Sequence, residues 1–208
     1  MVMNRWKYGA GAAALLVGFA VLAGTIRKTG PTAFDEAVGG WLTGLRSDGL
    51  TAFFKALSPL VSTTVFAILL VVFALLFAFV FKKRLEPLLL IVNLAVAFGL
   101  YRGLKGVFAR PRPSADALIH ASGFSFPSGN ALMAASFYGL IAYLLYRLWK
   151  KSRPGLSWTM LVLGFALVLL IGVSRVYLGV HYATDILAGY ALGGAWMLIC
   201  AAIVNKRS

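Results

Sequence analysis

His181 and Asp185 are the two side chains of this sequence whose types and spacing most clearly suit catalysis. They stand four residues apart, so they share one face if the last helix already begins at this segment. A carboxylate beside an imidazole fixes its tautomer and favours its charged form, and Arg175 adds a cation to the same segment. A lone histidine at a membrane edge is usually inert. A histidine paired with a carboxylate near a cation is a candidate nucleophile.

A candidate anion site lies at Pro127-Ser128-Gly129, directly before a long apolar run. A helix that begins here presents free backbone N–H groups and the positive end of its dipole. The ordinary alternative for Ser128 is a helix N-cap. Three cations precede this segment, namely Lys105, Arg110 and Arg112. Each of them, taken alone, is also typical of a base at a membrane edge.

The elements that position these residues are predicted to be membrane helices. Of the 208 residues, 61% are hydrophobic and 12% are charged, and the mean hydropathy is +0.87. A soluble domain is about 45–50% apolar and about 25% charged, so a soluble globular protein is excluded. Six apolar runs are long enough to cross a bilayer, at Tyr8–Ile26, Leu60–Phe81, Pro87–Leu104, Ser128–Leu148, Leu156–Val173 and Thr184–Val204. The sequence therefore predicts an all-α polytopic membrane protein with six transmembrane helices in one domain, residues 1–208.

The distribution of charge predicts the orientation of the six helices. The two ends and the even-numbered links carry eleven bases and one acid, whereas the odd-numbered links carry nine bases and five acids. The positive-inside rule then places both termini in the cytoplasm and the odd-numbered links outside. The basic start of the first run also fits a secretory signal, but the absence of a clear cleavage site favours a retained anchor. The net charge of +14 is explained by the bases that orient the helices in the membrane, so no nucleic-acid partner is predicted.

The order of the helices places the candidate site residues on the same side of the membrane. The cations and Pro127-Ser128-Gly129 lie between the third and fourth helices, and His181 lies between the fifth and sixth, so both segments face the same side. Lys105, Arg112, Arg175 and the amides of Ser128 and Gly129 could then surround one phosphate. His181 would be the group that attacks it.

The first outer link, residues 27–59, contains a second amphipathic pattern. Its apolar residues recur at helical spacing, at Phe34, Val38, Trp41, Leu42 and Leu45. This predicts an interfacial helix with Trp41 at the level of the lipid headgroups. A simple connector with one apolar side explains the pattern equally well. The single Cys200 has no cysteine partner, so no disulfide is predicted.

Three short motifs in order resemble the signature of the type 2 phosphatidic acid phosphatase superfamily. The first is a lysine followed after six residues by Arg-Pro, at Lys105 and Arg112. The second is Pro-Ser-Gly at 127–129. The third is Ser174-Arg175, then five residues, His181, three residues and Asp185. The six-helix layout extends the resemblance over nearly the whole chain.

The resemblance implies a phosphatase that acts on a lipid phosphate at the outer leaflet without a metal or other cofactor. His181 would be the nucleophile that forms a phosphohistidine, and Asp185 would orient it. The phosphate would be held by Lys105, Arg112, Ser128, Gly129, Ser174 and Arg175. The implied substrates are undecaprenyl pyrophosphate or phosphatidylglycerophosphate. The alternatives are a phosphotransferase to a lipid acceptor and a non-catalytic lipid-phosphate binder.

Position 130 departs from the family pattern. The second motif of the family resembles Pro-Ser-Gly-His, whose histidine protonates the leaving group, but this chain has Asn130. Asparagine cannot exchange a proton near neutral pH, and a positioned general acid is worth about 10²–10⁴-fold. The sequence therefore predicts an impaired or inactive enzyme, through either an engineered His-to-Asn change or natural divergence. The only other histidine is His120, ten residues upstream.

Overall fold

The computed structural model describes residues 5–26, 30–113 and 117–206. Within these ranges the structure has two short helices and six long ones. The helices are α1 (Arg5–Thr25), α2 (Ala33–Gly44), α3 (Asp48–Leu57), α4 (Thr63–Val80), α5 (Leu85–Phe108), α6 (Gly129–Trp149), α7 (Pro154–Tyr177) and α8 (Ala183–Lys206). All but α2 and α3 are long and apolar enough to cross a membrane. The six predicted spans are confirmed.

The ends of the spans differ from the limits of the apolar runs. Helix α4 begins at Thr63 rather than at Leu60, because Ser58–Val61 forms a 3₁₀ turn that contains Pro59. The hydroxyl of Ser62 then caps α4 by accepting a hydrogen bond from the Val65 amide at 3.2 Å. Helix α5 continues one turn beyond the predicted Leu104, since its backbone hydrogen bonds persist past the charged Lys105 as far as Phe108.

The end of α5 is determined by its backbone. Ala109 adopts a left-handed conformation with φ of 46°, and its amide bonds the Lys105 carbonyl at 3.0 Å. Pro111 and Pro113 follow, and proline has no amide to continue the helix. Lys105 therefore lies in the last turn of α5, while Arg110 and Arg112 lie just beyond it.

Helix α6 is the centre of the bundle. Two thirds of its most apolar window, 67%, is buried, against 11% for α1 and α4. It contains one π-helical turn at Ala134–Tyr138 and packs against α5, α7 and α8. Gly189 and Gly193 of α8 face it, as their GxxxG spacing predicts. A Cβ atom added at Gly193 would lie 2.2 Å from the carbonyl oxygen of Leu132.

We expect Gly193→Ala to destabilise the fold, because the added methyl group meets backbone that cannot rotate away. The expected loss is about 1–3 kcal/mol, which corresponds to roughly 2–4 °C in melting temperature per kcal/mol. Thermal unfolding in detergent measures it. Gly18→Ala on α1 is the matched control, since nothing lies within 4 Å of a Cβ at Gly18. Equal melting temperatures for the two variants would contradict this account of the packing.

The amphipathic segment between α1 and α4 is helical, as predicted. Helix α2 packs on α7 and α8, with Leu42 buried and Trp41 66% exposed. Its position at the membrane interface stays a prediction. Helices α2 and α3, the described residues 109–113 and 117–128, and the turn 178–182 lie at one end of the bundle. The short links 81–84 and 150–153 lie at the other. The charges at 27, 28, 116 and 207 lie outside the described residues.

Candidate active site

His181 lies in the short turn between α7 and α8 rather than on a helix. Helix α8 begins at Ala183, two residues later, and Gly179 turns the chain with φ of 75°. His181 and Asp185 therefore do not share a helical face, which corrects the simplest interpretation of their spacing. The turn nevertheless brings the two side chains close, with 3.5 Å between His181 Nδ1 and Asp185 Oδ2. His181 is only 3% exposed.

A serine that the sequence did not suggest stands between these two side chains. Ser125 Oγ lies 3.2 Å from His181 Nδ1 and donates a hydrogen bond of 2.5 Å to Asp185 Oδ2. The amide of Tyr182 donates to the same oxygen at 2.9 Å. The hydroxyl is therefore the nearer partner of Nδ1, and the carboxylate is a second, longer one at 3.5 Å.

The other ring nitrogen of His181 faces Arg112. Arg112 Nη1 lies 3.2 Å from His181 Nε2 and donates to the Val180 carbonyl at 2.6 Å. A guanidinium carries only donors, so Nε2 must be the acceptor and must carry the lone pair. Burial lowers the pKa of His181 to about 4, although Asp185 acts in the opposite direction. Near neutral pH the ring is therefore uncharged, with its proton on Nδ1 and a nucleophilic lone pair on Nε2.

A cavity of about 190 Å³ opens beside His181 and gathers five of the predicted site residues. They are Lys105, Arg112, Gly129, Asn130 and His181. The remaining wall is largely apolar and comes from the 3₁₀ turn, α4, α5 and α6, through Val61, Thr63, Phe66, Tyr101 and Met133. Two cations and a helix start thus border one small cavity and can bind a tetrahedral anion there. The neutral imidazole beside them can attack that anion.

Ser128 and Gly129 have different roles: Ser128 holds the local structure, and Gly129 lines the cavity. Ser128 Oγ accepts from the Ala131 amide at 3.4 Å, as in an N-cap, and the Ser128 amide donates to the Asp185 carbonyl at 3.1 Å. The Ser128 amide is therefore occupied, and Gly129 is the member of the pair that lines the cavity. A Cβ at Gly129 would lie 2.9 Å from the Tyr101 ring, so a side chain would displace that wall.

Arg175 and Ser174 lie outside the residues that line this cavity. Arg175 is buried, and its guanidinium donates to Ser58 Oγ at 2.8 Å and to Ser174 Oγ at 3.0 Å. Ser174 in turn donates to the Ile171 carbonyl at 2.6 Å. Arg175 thereby joins α7 to the 3₁₀ turn that precedes α4, and Ser174 holds its guanidinium within α7. Their contact with a phosphate stays a prediction.

Arg110 and Asp35 form a buried ion network behind Asp185. Arg110 is 0% exposed and donates to Asp185 Oδ1 at 2.6 Å and to Asp35 Oδ2 at 2.7 Å. Its guanidinium also lies 4.1 Å from the centre of the Tyr182 ring. Asp35 accepts from the Thr184 amide at 2.8 Å. The network thereby fastens α2 to the first turn of α8.

The carboxyl of Asp35 is held ionised by these contacts. Burial alone raises its pKa, but hydrogen bonds from the Thr32 and Thr184 amides and from Arg110 outweigh burial and keep the pKa below its ordinary value. Sequence reasoning grouped Arg110 with the cations and missed Asp35. The local signal at Asp35 is the capping box that it forms with Thr32 at the start of α2, which predicts a helix start and no distant partner.

Asn130 is in the place where the resemblance expects an acid. It lines the cavity, whereas His120 is exposed and is not among the residues that do so. Within the described part of the chain, no three His, Cys, Asp or Glu side chains are grouped to hold a metal ion. A second cavity, of about 250 Å³, borders His181 on the side of α2 and includes Gly39, Gly40 and Arg46.

Comparison with known proteins agrees with this geometry. Residues 86–208 match the PAP2 superfamily. The chain is 33% identical to phosphatidylglycerophosphatase B of Bacillus subtilis over 86% of this chain and 87% of that protein. It is 31% identical to an undecaprenyl-diphosphatase of Sulfolobus acidocaldarius over 57% of this chain and 55% of that protein.

Solved structures show the same fold. A crystal structure of a transmembrane PAP2-type phosphatidylglycerolphosphate phosphatase from Bacillus subtilis matches with a TM-score of 0.84 and 29% identity, over 95% of this chain and 97% of that one. The structure of LpxE from Aquifex aeolicus matches with a TM-score of 0.65 and 26% identity, over 85% and 97%. This chain is thus a multi-pass membrane protein, and it belongs to the PAP2 superfamily.

Proposed function

We propose that this chain removes phosphate from a membrane lipid phosphate or pyrophosphate through a phosphohistidine on His181, with no metal ion. The observation that carries the proposal is the position of His181 Nε2, 3.2 Å from Arg112 Nη1, at a cavity that Lys105 also lines. The names of the relatives support a lipid substrate. We accordingly propose undecaprenyl pyrophosphate or phosphatidylglycerophosphate, acted on by a single membrane domain that spans 1–208.

The proposed reaction has two steps. In the first, His181 Nε2 attacks phosphorus and the bond to the lipid oxygen breaks, while Lys105, Arg112 and the Gly129 amide stabilise the charge on the phosphoryl oxygens. In the second, water attacks phosphorus and the P–N bond breaks, so that phosphate leaves with the protons of that water and Nε2 regains its lone pair. The lipid oxygen that departs in the first step takes its proton from solvent, because Asn130 cannot supply one. We therefore propose that this chain turns over slowly.

We also propose that the site faces outward and that both termini lie in the cytoplasm, because the links on the site's side carry the smaller positive charge. An impermeant maleimide applied to intact cells should label Ala117→Cys and spare Ser152→Cys, since both positions are exposed but lie at opposite ends of the bundle. The parent chain is the control, because its single Cys200 is buried. The opposite labelling pattern would reverse the proposed topology.

The activity is tested by a phosphate-release screen over several lipid phosphates, run on a chain that carries Asn130→His. Release from at least one of them, unchanged by EDTA, is the expected result. Loss of release with EDTA would contradict metal independence. No release from any lipid phosphate, by a variant whose thermal unfolding matches that of the parent, would contradict the proposed function.

A further inference from the structure

A basic cavity lies at the end of the bundle opposite to His181. It has a volume of about 410 Å³ and opens between the ends of α4, α5, α6 and α8. Its polar wall consists of four bases, one acid and one amide, at Lys83, Arg147, Lys150, Lys151, Glu86 and Asn205. Its apolar wall consists of Phe77, Leu144 and Leu148. We call this space the distal cavity.

The charges around the distal cavity do not cancel. Four bases and one acid give its wall a net charge of +3. The acid, Glu86, lies 3.9 Å from Arg147, at the outer limit of an ion pair. Among the described residues, no carboxylate lies within 4 Å of the ammonium groups of Lys83, Lys150 and Lys151. The distal cavity therefore attracts anions.

Bases at this end of the bundle are expected from the orientation of the helices alone. Orientation requires neither a cavity nor bases that converge on one. Arg84 and Arg153 satisfy the same rule as exposed side chains that are not among the residues lining the distal cavity. Arg147 and Lys150, in contrast, are half-buried in its wall. Their convergence is the feature that indicates a ligand.

The apolar wall favours a lipid over a free anion. Phe77 and Leu144 are 1% and 2% exposed, and with Leu148 they extend the wall from the bases into the membrane-spanning part of α4 and α6. A free phosphate would meet these side chains without gaining a polar partner from them. A phospholipid would place its phosphate among the bases and its first methylene groups against the apolar side chains.

The part of the wall that α8 contributes is held in place by polar contacts. Asn205 donates hydrogen bonds to the Ala201 carbonyl at 2.7 Å and to the Tyr143 hydroxyl. That hydroxyl lies 2.8 Å from the hydroxyl of Tyr8. These contacts join α8 to α6 and α1 beside the distal cavity. A ligand therefore meets a wall that is already ordered, so binding costs little conformational entropy.

We propose that the distal cavity binds the headgroup of an anionic phospholipid, whose phosphodiester contacts the four bases of its wall. The proposal goes beyond the reaction at His181 and does not depend on it. The ends of membrane spans lie at the depth of the headgroups in either leaflet. The proposed topology makes this the cytoplasmic leaflet, where basic pockets between membrane helices bind anionic headgroups. The bound lipid would connect the links 81–84 and 150–153.

Phosphatidylglycerol is the probe, added to the purified chain in an uncharged detergent. Native mass spectrometry measures its Kd, and hydrogen exchange locates it. We expect phosphatidylglycerol to protect the amides of the links 81–84 and 150–153, whereas lipid held in the catalytic cavity would protect the turn 178–182. Equal protection of the two links by phosphatidylcholine, which has no net charge, would overturn the role of the bases. Equal protection by inorganic phosphate would overturn the choice of a lipid.

A pair of double variants tests the bases themselves. Arg147→Gln/Lys150→Gln removes two cations from the wall and should raise the Kd for phosphatidylglycerol roughly 10–30-fold. The matched control, Arg84→Gln/Arg153→Gln, removes the same charge from the same end of the bundle, outside that wall. Because salt screens exposed charges, its Kd should stay within roughly threefold of the parental value. Equal weakening by the two double variants, or an unchanged Kd in a folded Arg147→Gln/Lys150→Gln chain, would overturn the proposal.

A third double variant keeps the test decisive if Arg147 is needed for folding. Lys150→Gln/Lys151→Gln leaves the pair of Glu86 and Arg147 intact and should weaken binding by a similar factor. Phosphate release, measured without added lipid in chains that also carry Asn130→His, reports separately on the proposed function. None of the substituted bases lines the catalytic cavity, so all three double variants should keep the parental rate. No release from any chain would contradict the phosphatase proposal, while selective phosphatidylglycerol binding would still support the lipid site.

Discussion

His181→Ala is expected to abolish phosphate release from lipid phosphates in a chain that also carries Asn130→His. The lone pair of His181 Nε2 is the nucleophile in the proposed reaction, and alanine offers nothing in its place. Removal of a catalytic nucleophile costs on the order of 10⁴-fold or more. The measurement is the initial rate of phosphate release at saturating lipid.

A matched control is present in the chain. His120 is exposed and does not line the cavity, so His120→Ala removes the other natural imidazole and should leave the rate unchanged. Equal rates for His181→Ala and its parent would refute the nucleophile assignment. If both histidine variants lost activity together, the effect would reflect folding, which thermal unfolding of each variant would reveal.

The lowered pKa of His181 gives the nucleophile a characteristic pH dependence. Because burial holds that pKa at about 4, below the ordinary value of 6.5, the ring keeps its lone pair down to about pH 4. Formation of phosphohistidine by the unmodified chain should therefore persist through pH 6 and fall only as the pH approaches 4. A fall in phosphohistidine formation centred near pH 6.5 would show that the His181 ring is exposed to water in the enzyme without substrate.

Two kinds of sequence pattern were informative: reactive residues at fixed spacing, and apolar runs whose length indicates a membrane span. Five residues that the three motifs contain come from four different parts of the chain and line one cavity: Lys105, Arg112, Gly129, Asn130 and His181. The six apolar runs correctly predicted six spans. Their limits shifted by a few residues, because caps and prolines determine where a helix starts and stops, and hydropathy does not.

What the sequence missed depends on long-range packing. Asp35 contacts Thr184, 149 positions later in the chain, and no local pattern links a capping box at the start of α2 to the start of the last helix. Ser125 is two residues before Pro127, where an unremarkable serine gives no sign of its position between His181 and Asp185. His181 and Asp185 would share a helical face only if the last helix began before His181, and α8 begins at Ala183, after the turn at Gly179.

Asn130→His is expected to raise turnover, by an amount that depends on the leaving group. Position 130 lines the cavity beside His181, so an imidazole there could protonate the oxygen that departs from phosphorus. Phosphatidic acid expels a strongly basic alkoxide, which depends heavily on a proton donor. A polyprenyl pyrophosphate expels a phosphate monoester, which is already a good leaving group. The gain should therefore be larger for phosphatidic acid, within the roughly 10²–10⁴-fold range of a positioned acid.

The comparison uses both lipids with three chains: the parent, Asn130→His and Asn130→Gln. Glutamine keeps an amide and cannot exchange a proton near neutral pH, so it should give no gain on either lipid. Asparagine also cannot help to activate water, so the parent should accumulate phosphohistidine on the pyrophosphate lipid, where the first step needs the acid least. Equal turnover by all three chains on both lipids would show that position 130 does not supply the proton. Equal gains on both lipids would place its effect on the water-dependent second step, which is common to the two substrates.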